Sequence, residues 1–217
     1  MNARYAAGYW YGTVGSGNPT WVNCTNLIIE GLSNGWVNSI ALSGSTLYAG
    51  GYRLNWGIGY WYGPAGGGGN WVTCSSIGGI NSIVVSGTTV LAGGTNGGVG
   101  YWYGPAGSPS WVNFESSSGS ARSIALSGTS VYVGGVNASG AAGYWYGATG
   151  STTPTWVPCD SSGSARSIAL SGTTVYAGGV NASGATGYWY GTVGSSNPAW
   201  VPCDIGGNVY SIAVVTQ

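Results

Sequence analysis

The sequence predicts an all-β fold, a five-bladed β-propeller of four-stranded antiparallel blades occupying residues 1–217 as one domain. Three observations predict it. The string Gly-Tyr-Trp-Tyr-Gly occurs five times, at Gly8–Gly12, Gly59–Gly63, Gly100–Gly104, Gly143–Gly147 and Gly187–Gly191. Its first tyrosine falls at 9, 60, 101, 144 and 188, a repeat of roughly 40–50 residues, which is the length of a propeller blade. No apolar period of 3.6 residues appears, so no helix is expected.

Each repeat holds four short β-type runs, here lettered a to d. Run a is Ser-Ile-Ala-Leu or a variant, starting at Ser39, Ser82, Ser123, Ser167 and Ser211. Run b is Val-Tyr-Ala-Gly-Gly or similar, ending at Gly51, Gly94, Gly135 and Gly179. Run c is Tyr-Trp-Tyr. Run d opens on Trp-Val, at Trp21, Trp71, Trp111, Trp156 and Trp200. All are rich in β-branched or aromatic residues and are bounded by Gly, Ser, Asn or Pro. The Ser-Gly-Thr-Thr link between a and b has the length of a hairpin turn.

The order of motifs resembles the kelch repeat. Arg166-Ser-Ile-Ala-Leu, then Val175-Tyr-Ala-Gly178-Gly179, then Tyr190, then Trp200 matches the kelch succession of strands. A double glycine closes strand b, a tyrosine lies in strand c and a tryptophan opens strand d. The resemblance covers essentially the whole chain and implies a propeller. It departs from kelch in having few charges and five blades. Five blades is similar to the tachylectin group of sugar-binding propellers, with no shared motif.

The closing blade differs from the other four. The closing blade draws strand a from Ser211–Val215 and strands c and d from Tyr9–Tyr11 and Trp21–Cys24. Residues 2–8 align with the b–c loop at 181–187, not with a strand. Either Arg4–Ala7 serves as a truncated strand b, or the closing blade is defective, or a neighbouring chain supplies the strand. An unpaired strand edge is a template for such pairing.

Composition narrows the function. Charged residues are 4% of the chain, with four Lys plus Arg, four Asp plus Glu and no His. Nucleic-acid binding needs a basic footprint that is absent here. No apolar run is long enough for a membrane-spanning helix. No signal peptide is read at the N-terminus. The compartment stays open, with a composition leaning towards an extracellular, surface or virion setting. Near-zero net charge favours association.

Cys24, Cys74, Cys159 and Cys203 share one position at the end of run d, and Phe114 takes it in the third repeat. Equivalent positions in separate blades lie too far apart for a disulfide. Free thiols packed in apolar surroundings are expected. No metal or other cofactor is expected. The Tyr-Trp-Tyr strands put Trp on one face and both Tyr on the other, and packing between blades accounts for them. Stacking of sugars at blade junctions is the functional alternative.

In an up-and-down blade the d–a and b–c loops share one face. All eight charges map there. Arg122 and Arg166 are expected just before strand a, rimming a central channel. The first repeat adds a long d–a loop with Glu30 and Trp36, and a b–c segment Tyr52-Arg53-Leu-Asn-Trp56. Trp36 and Trp56 are the two tryptophans outside the repeat pattern. Binding residues concentrate in loops on rigid scaffolds. The candidate ligand-binding set is therefore Glu30, Trp36, Tyr52, Arg53, Trp56, Arg122, Asp160, Arg166 and Asp204. The alternative is a packed cluster of Trp36, Trp56, Leu27, Ile28 and Ile29, with Glu115–Arg122 and Asp160–Arg166 as ion pairs. Asn23, Asn137 and Asn181 head Asn-X-Ser/Thr sequons that matter if the chain is exported.

Catalysis is not expected. No His or Lys is present, and each of the four carboxylates comes from a different repeat. The expected function is a non-enzymatic binding module with carbohydrate, or another neutral ligand, as partner. The alternative is a structural self-assembling repeat protein of a filament, coat or surface layer.

Overall fold

A computed structural model describes residues 8–11, 17, 20–23, 35–53, 56–67, 69–115, 119–204, 207 and 209–214; the side chains of Tyr11, Asn23, Glu115 and Asp204 lie outside that description. The described residues are all-β and form five antiparallel sheets in chain order. The first pairs β1 (Gly8–Tyr11) with β2 (Thr20–Asn23). The second is β3 (Gly35–Ser43), β4 (Thr46–Arg53), β5 (Gly57–Pro64) and β6 (Asn70–Ser75). The third is β7 (Gly79–Ser86), β8 (Thr89–Thr95), β9 (Val99–Pro105) and β10 (Ser110–Glu115). The fourth is β11 (Ser120–Ser127), β12 (Ser130–Val136), β13 (Ala142–Ala148) and β14 (Thr155–Asp160). The fifth is β15 (Ser164–Ser171), β16 (Thr174–Val180), β17 (Thr186–Thr192) and β18 (Ala199–Asp204). Each four-stranded sheet runs a-b-c-d, as the motif order predicts. No helix among the described residues is long and apolar enough to cross a membrane.

The a–b hairpins turn on Gly44, Gly87, Gly128 and Gly172, all with φ between +56° and +58°. A side chain is strained there, which is why glycine recurs at this turn. The double glycine of strand b has a different cause. Strand a carries a bulge, seen as register shifts between Val37 and Ser39, Ala121 and Ser123, and Ala165 and Ser167. Opposite it, a Cβ on Gly51, Gly135 or Gly179 would come within about 2.0 Å of the carbonyl oxygen of Trp36, Ser120 or Ser164. A bulge of this kind re-aims one side chain.

The chain divides into two compact units, Met1–Ala92 with Trp102–Trp111, and Gly93–Tyr101 with Val112–Gln217. In the first, Ile83 lies on Gly50, and Tyr48, Ile58, Tyr60, Ile80, Ile83, Val90 and Trp102 form a buried cluster. In the second, Ile168 lies on Gly134, and Tyr132, Tyr144, Val157, Ile168 and Val175 form the equivalent core. Burying each such side chain contributes roughly 1.5–3 kcal/mol. In the four-stranded sheets the central Trp of strand c is buried under the Trp of strand d, as in Trp61–Trp71 at 4.3 Å and Trp189–Trp200 at 4.5 Å between ring centroids, whereas Trp10 of β1 is exposed. Both faces of strand c are therefore core in these sheets, with the strand-d tryptophans half-buried over the preceding glycine.

Three expectations need correction. Arg122 and Arg166 do not precede strand a: they are its bulge residues, inside β11 and β15. Trp36, Tyr52 and Arg53 are strand residues of β3 and β4 rather than loop residues, because the first ladder of that sheet runs on to Gly35↔Arg53. The segment Ser211–Val214, expected as strand a of the closing blade, has no sheet partner among the described residues. Arg4–Ala7, Cys24, Leu27–Ile29 and Glu30 lie outside the described residues.

Candidate functional site

The predicted ligand-binding residues form two local groups, one in each unit. In the first unit Trp36 and Tyr52 are direct cross-strand partners. Their rings stack at 4.6 Å with an interplanar angle of 23°. The Trp56 N–H donates to the Arg53 carbonyl at 3.0 Å, closing the b–c turn. That turn brings the Arg53 guanidinium over the Trp56 ring, 4.7 Å from its centroid. Trp36 is 56% exposed and Trp56 is 52% exposed. Stacking on Tyr52 fixes the Trp36 ring in orientation, and a cation over Trp56 does the same for that ring. The equivalents of Trp36 in other repeats are Gly79, Ser120 and Ser164. The aromatic is thus an addition of the first full sheet, not part of the shared core.

The second group sits on the bulges of β11 and β15. Bulge residues reach forward along the repeat: the Asn38 Nδ2 donates to the Ile80 carbonyl at 2.7 Å, and Arg166 lies over the Tyr210 ring at 5.5 Å. Arg122 occupies the same position one repeat before Arg166. Desolvation of its guanidinium, and second the Arg166 charge, hold Arg122 below the ordinary arginine pKa. The Arg166 Nε is buried without a partner among the described residues.

The expected Asp160–Arg166 ion pair does not form. The Asp160 carboxylate instead accepts the Ser161 N–H at 2.7 Å and the Ala182 N–H at 3.0 Å. It ties the end of strand d to the b–c turn, which places those two features at the same end of the sheet, as predicted. Asn181 Oδ1 accepts from the Ser183 and Ala185 N–H groups and the Ser183 hydroxyl, and Asn137 does the same with Ser139 and Ala141. These sequon asparagines organise their turns. Glu30 lies outside the described residues, as do the Asp204 and Asn23 side chains. No group of three or more His, Cys, Asp or Glu able to hold a metal occurs among the described residues.

Cys74, Cys159 and Cys203 are free thiols, as expected. Burial pushes Cys74 up to about 12, and burial with the Asp160 charge does the same to Cys159. Cys203 departs from the expectation of burial and is exposed. It lines a groove of about 490 Å3 with Tyr176, Tyr188, Val209, Ile212 and Val214. Sequence reasoning anticipated an open strand edge in the closing blade but not a groove that exposes Cys203. The signal for it was the count of b motifs, four against five of each other run.

No protein-family model matches the chain, and no curated protein matches it in sequence. Among solved structures, the computationally designed Ika4 protein is 16% identical with a TM-score of 0.48, over 71% of this chain and 90% of that one. The computationally designed Ika8 protein is 15% identical with a TM-score of 0.42, over 83% of this chain and 65% of that one. The catalytic domain of the Coprinopsis cinerea GH62 α-L-arabinofuranosidase is 9% identical with a TM-score of 0.49, over 91% of this chain and 72% of that one.

Proposed function

We propose that the chain is a five-bladed, kelch-like propeller acting as a non-enzymatic module that binds neutral carbohydrate at Trp36, Tyr52, Arg53 and Trp56. The observation that carries this reading is the pair of tryptophans more than half exposed, each held in place by a stacked partner. A pyranose presents an apolar C–H face and a polar rim. An immobilised indole matches the first, and the Arg53 guanidinium can donate to the second. Pre-ordered aromatics lose little conformational entropy on binding, so a small site can be productive. Single-site affinity of such a shallow platform is modest, and presentation of several copies raises it by avidity. The test is tryptophan-fluorescence titration with a panel of neutral oligosaccharides. A saturable change for at least one of them supports the reading. No change across the panel removes it.

A second reading, a structural component that associates through strand pairing, is favoured by one observation. Ser211–Val214 offers a strand edge with no sheet partner among the described residues.

A further inference from the structure

The bulge of strand a is occupied differently along the chain. In β3 it carries Asn38, whose Nδ2 donates to the Ile80 carbonyl at 2.7 Å. That hydrogen bond satisfies the side chain. In β11 and β15 the same position carries Arg122 and Arg166. These two strands belong to one compact unit. They are joined beside the bulges, where the Ile168 N–H donates to the Ser123 hydroxyl at 3.1 Å. Arg122 is one residue before that serine, and Arg166 is two residues before that isoleucine. Two like charges are thus gathered at one end of neighbouring strands. Arg122 is exposed and Arg166 is half-buried.

Neither arginine has a carboxylate partner among the described residues. Asp160 turns its oxygens to the Ser161 and Ala182 N–H groups instead. The Tyr210 ring, 5.5 Å from the Arg166 guanidinium, steadies that group without neutralising it. The polar atoms around the pair are also unsatisfied. The Arg166 Nε is buried without a partner among the described residues, and so are the Ser120 and Ser164 hydroxyls, each two residues before an arginine. Thr186 Oγ1 is in the same state, and its residue pairs with Val180, which pairs with Ser164. Four of the five such atoms among the described residues therefore lie at this end of the second unit. Buried polar atoms in folded proteins find partners, so this end calls for one from outside the chain. Water satisfies a hydroxyl but leaves two cations facing each other. The lowered pKa of Arg122, from desolvation first and the Arg166 charge second, reflects that crowding.

We infer that Arg122 and Arg166 together bind a doubly charged tetrahedral oxyanion, as carried by a phosphate monoester or by sulfate, at the bulged end of β11 and β15. The charges balance, two against two. Each guanidinium offers a planar fork of N–H donors, and a tetrahedral oxyanion has enough oxygens to accept from both forks at once. A single carboxylate would neutralise only one of the two arginines. A neutral ligand would neutralise neither. Partial burial strengthens the attraction, because charge interactions grow as water is excluded. The exposed Arg122 leaves the site open to solvent on one side. The inference is independent of the carbohydrate site, which lies in the other unit.

The test is calorimetric titration of the 217-residue chain with inorganic sulfate and with glycerol 2-phosphate, in sodium chloride at fixed ionic strength. Saturable binding of at least one of them is expected, and the tighter of the two at pH 8 names the source the site prefers. A phosphate monoester takes up its second proton near pH 6. Its binding should therefore weaken from pH 8 to pH 5, while that of sulfate, a dianion at both, holds. Arg122→Gln and Arg166→Gln should each weaken binding about tenfold or more, the size expected when a hydrogen bond to a charged group is lost. Arg166→Lys keeps the charge but loses the fork, so it should weaken binding as well. Unchanged Tm of the variants without ligand shows that they fold, and the ligand should raise Tm in the native chain more than in them. Three results overturn the inference: no saturable binding of either anion, equal binding by the Arg122→Gln/Arg166→Gln double variant, or monoester binding that is the same at pH 5 and pH 8. A native chain that binds neither anion beside a Glu115→Gln variant that binds one would overturn it too, and would mean that Glu115 already neutralises Arg122.

Discussion

The Ser123 hydroxyl accepts a hydrogen bond from the Ile168 N–H at 3.1 Å, joining the first strands of two successive sheets. β15 is an edge strand of its sheet, so this N–H has no ladder partner on that side. The serine of the preceding repeat caps it. The same device recurs at Ser39–Ile83 and Ser167–Ile212. At these three places a serine in run a thus links one a segment to the next through the backbone, where its position in the sequence suggested only a polar strand residue.

Replacing Ser123 with alanine leaves the Ile168 N–H buried and unpaired. The expected cost is about 1–3 kcal/mol. For a chain of this length that lowers Tm by roughly 2–4 °C per kcal/mol. Ser167→Ala should cost less, because Ile212 belongs to a segment without a sheet partner. Calorimetry on the two variants measures both. Equal losses would mean that the cap acts only locally and not through the sheet it joins.

The double glycine yields a sharper contrast. A Cβ on Gly135 would lie 2.0 Å from the Ser120 carbonyl oxygen, and the obstacle is backbone. Neither strand can yield without losing the bulge. Gly135→Ala is expected to cost about 3 kcal/mol or more, at the upper end for overpacking. Gly128 is the control: its φ is +57° and an added Cβ would meet nothing within 4 Å. Gly128→Ala is expected to cost about 1–2 kcal/mol, from the left-handed backbone alone. Urea midpoints at unchanged slope report the difference. A reversed order would show that the close approach at the bulge does not select glycine in run b.

These comparisons show what was legible in advance. Four runs per repeat and their order followed from alternating aromatic and β-branched residues between Gly- and Ser-rich turns. Those are local properties, and local properties are written in short strings. The bulge at Asn38, Arg122 and Arg166 was not legible, because a register shift involves two strands and one extra residue looks like any other. For the same reason Arg122 and Arg166 were placed ahead of the strand that contains them. Trp36 and Trp56 stood out because they break the repeat. Their partners, Tyr52 and Arg53, were within reach only by sequence proximity. Cys203 could not be told from Cys74, since the two share a motif position and differ only in what packs over them.

The thiols give a pH prediction. Cys74 and Cys159 titrate near 12 in the folded chain, against an ordinary value of 9.0. Burial favours the neutral thiol, so each folded pKa lies above the unfolded one. Stability from these groups is fully present below about pH 9 and falls as pH rises through 9 towards 12. Tm should therefore decline above pH 9, and Cys74→Ala together with Cys159→Ala should flatten that decline while lowering Tm at neutral pH. Alkylation at pH 8 should modify Cys203 while sparing Cys74 and Cys159, since only the thiolate reacts. Modification of Cys74 as fast as Cys203 in the native protein would contradict its burial.

The aromatic platform makes the last prediction. Trp36 and Trp56 are exposed and contribute little to the core, so Trp36→Ala and Trp56→Ala should leave stability within about 0.5 kcal/mol. If they carry the sugar, each should weaken binding about tenfold or more, the size expected of a central aromatic contact. Tyr52→Ala should act on affinity through Trp36, by releasing the ring that it stacks against at 4.6 Å. Its effect should be smaller than that of Trp36→Ala and absent in the double variant, which a double-mutant cycle resolves. A neutral ligand leaves binding insensitive to salt, because no charge pair is screened. Binding that weakens steeply with salt would shift the ligand to an anion. Binding retained in both tryptophan variants would take the site away from this face of the first unit altogether.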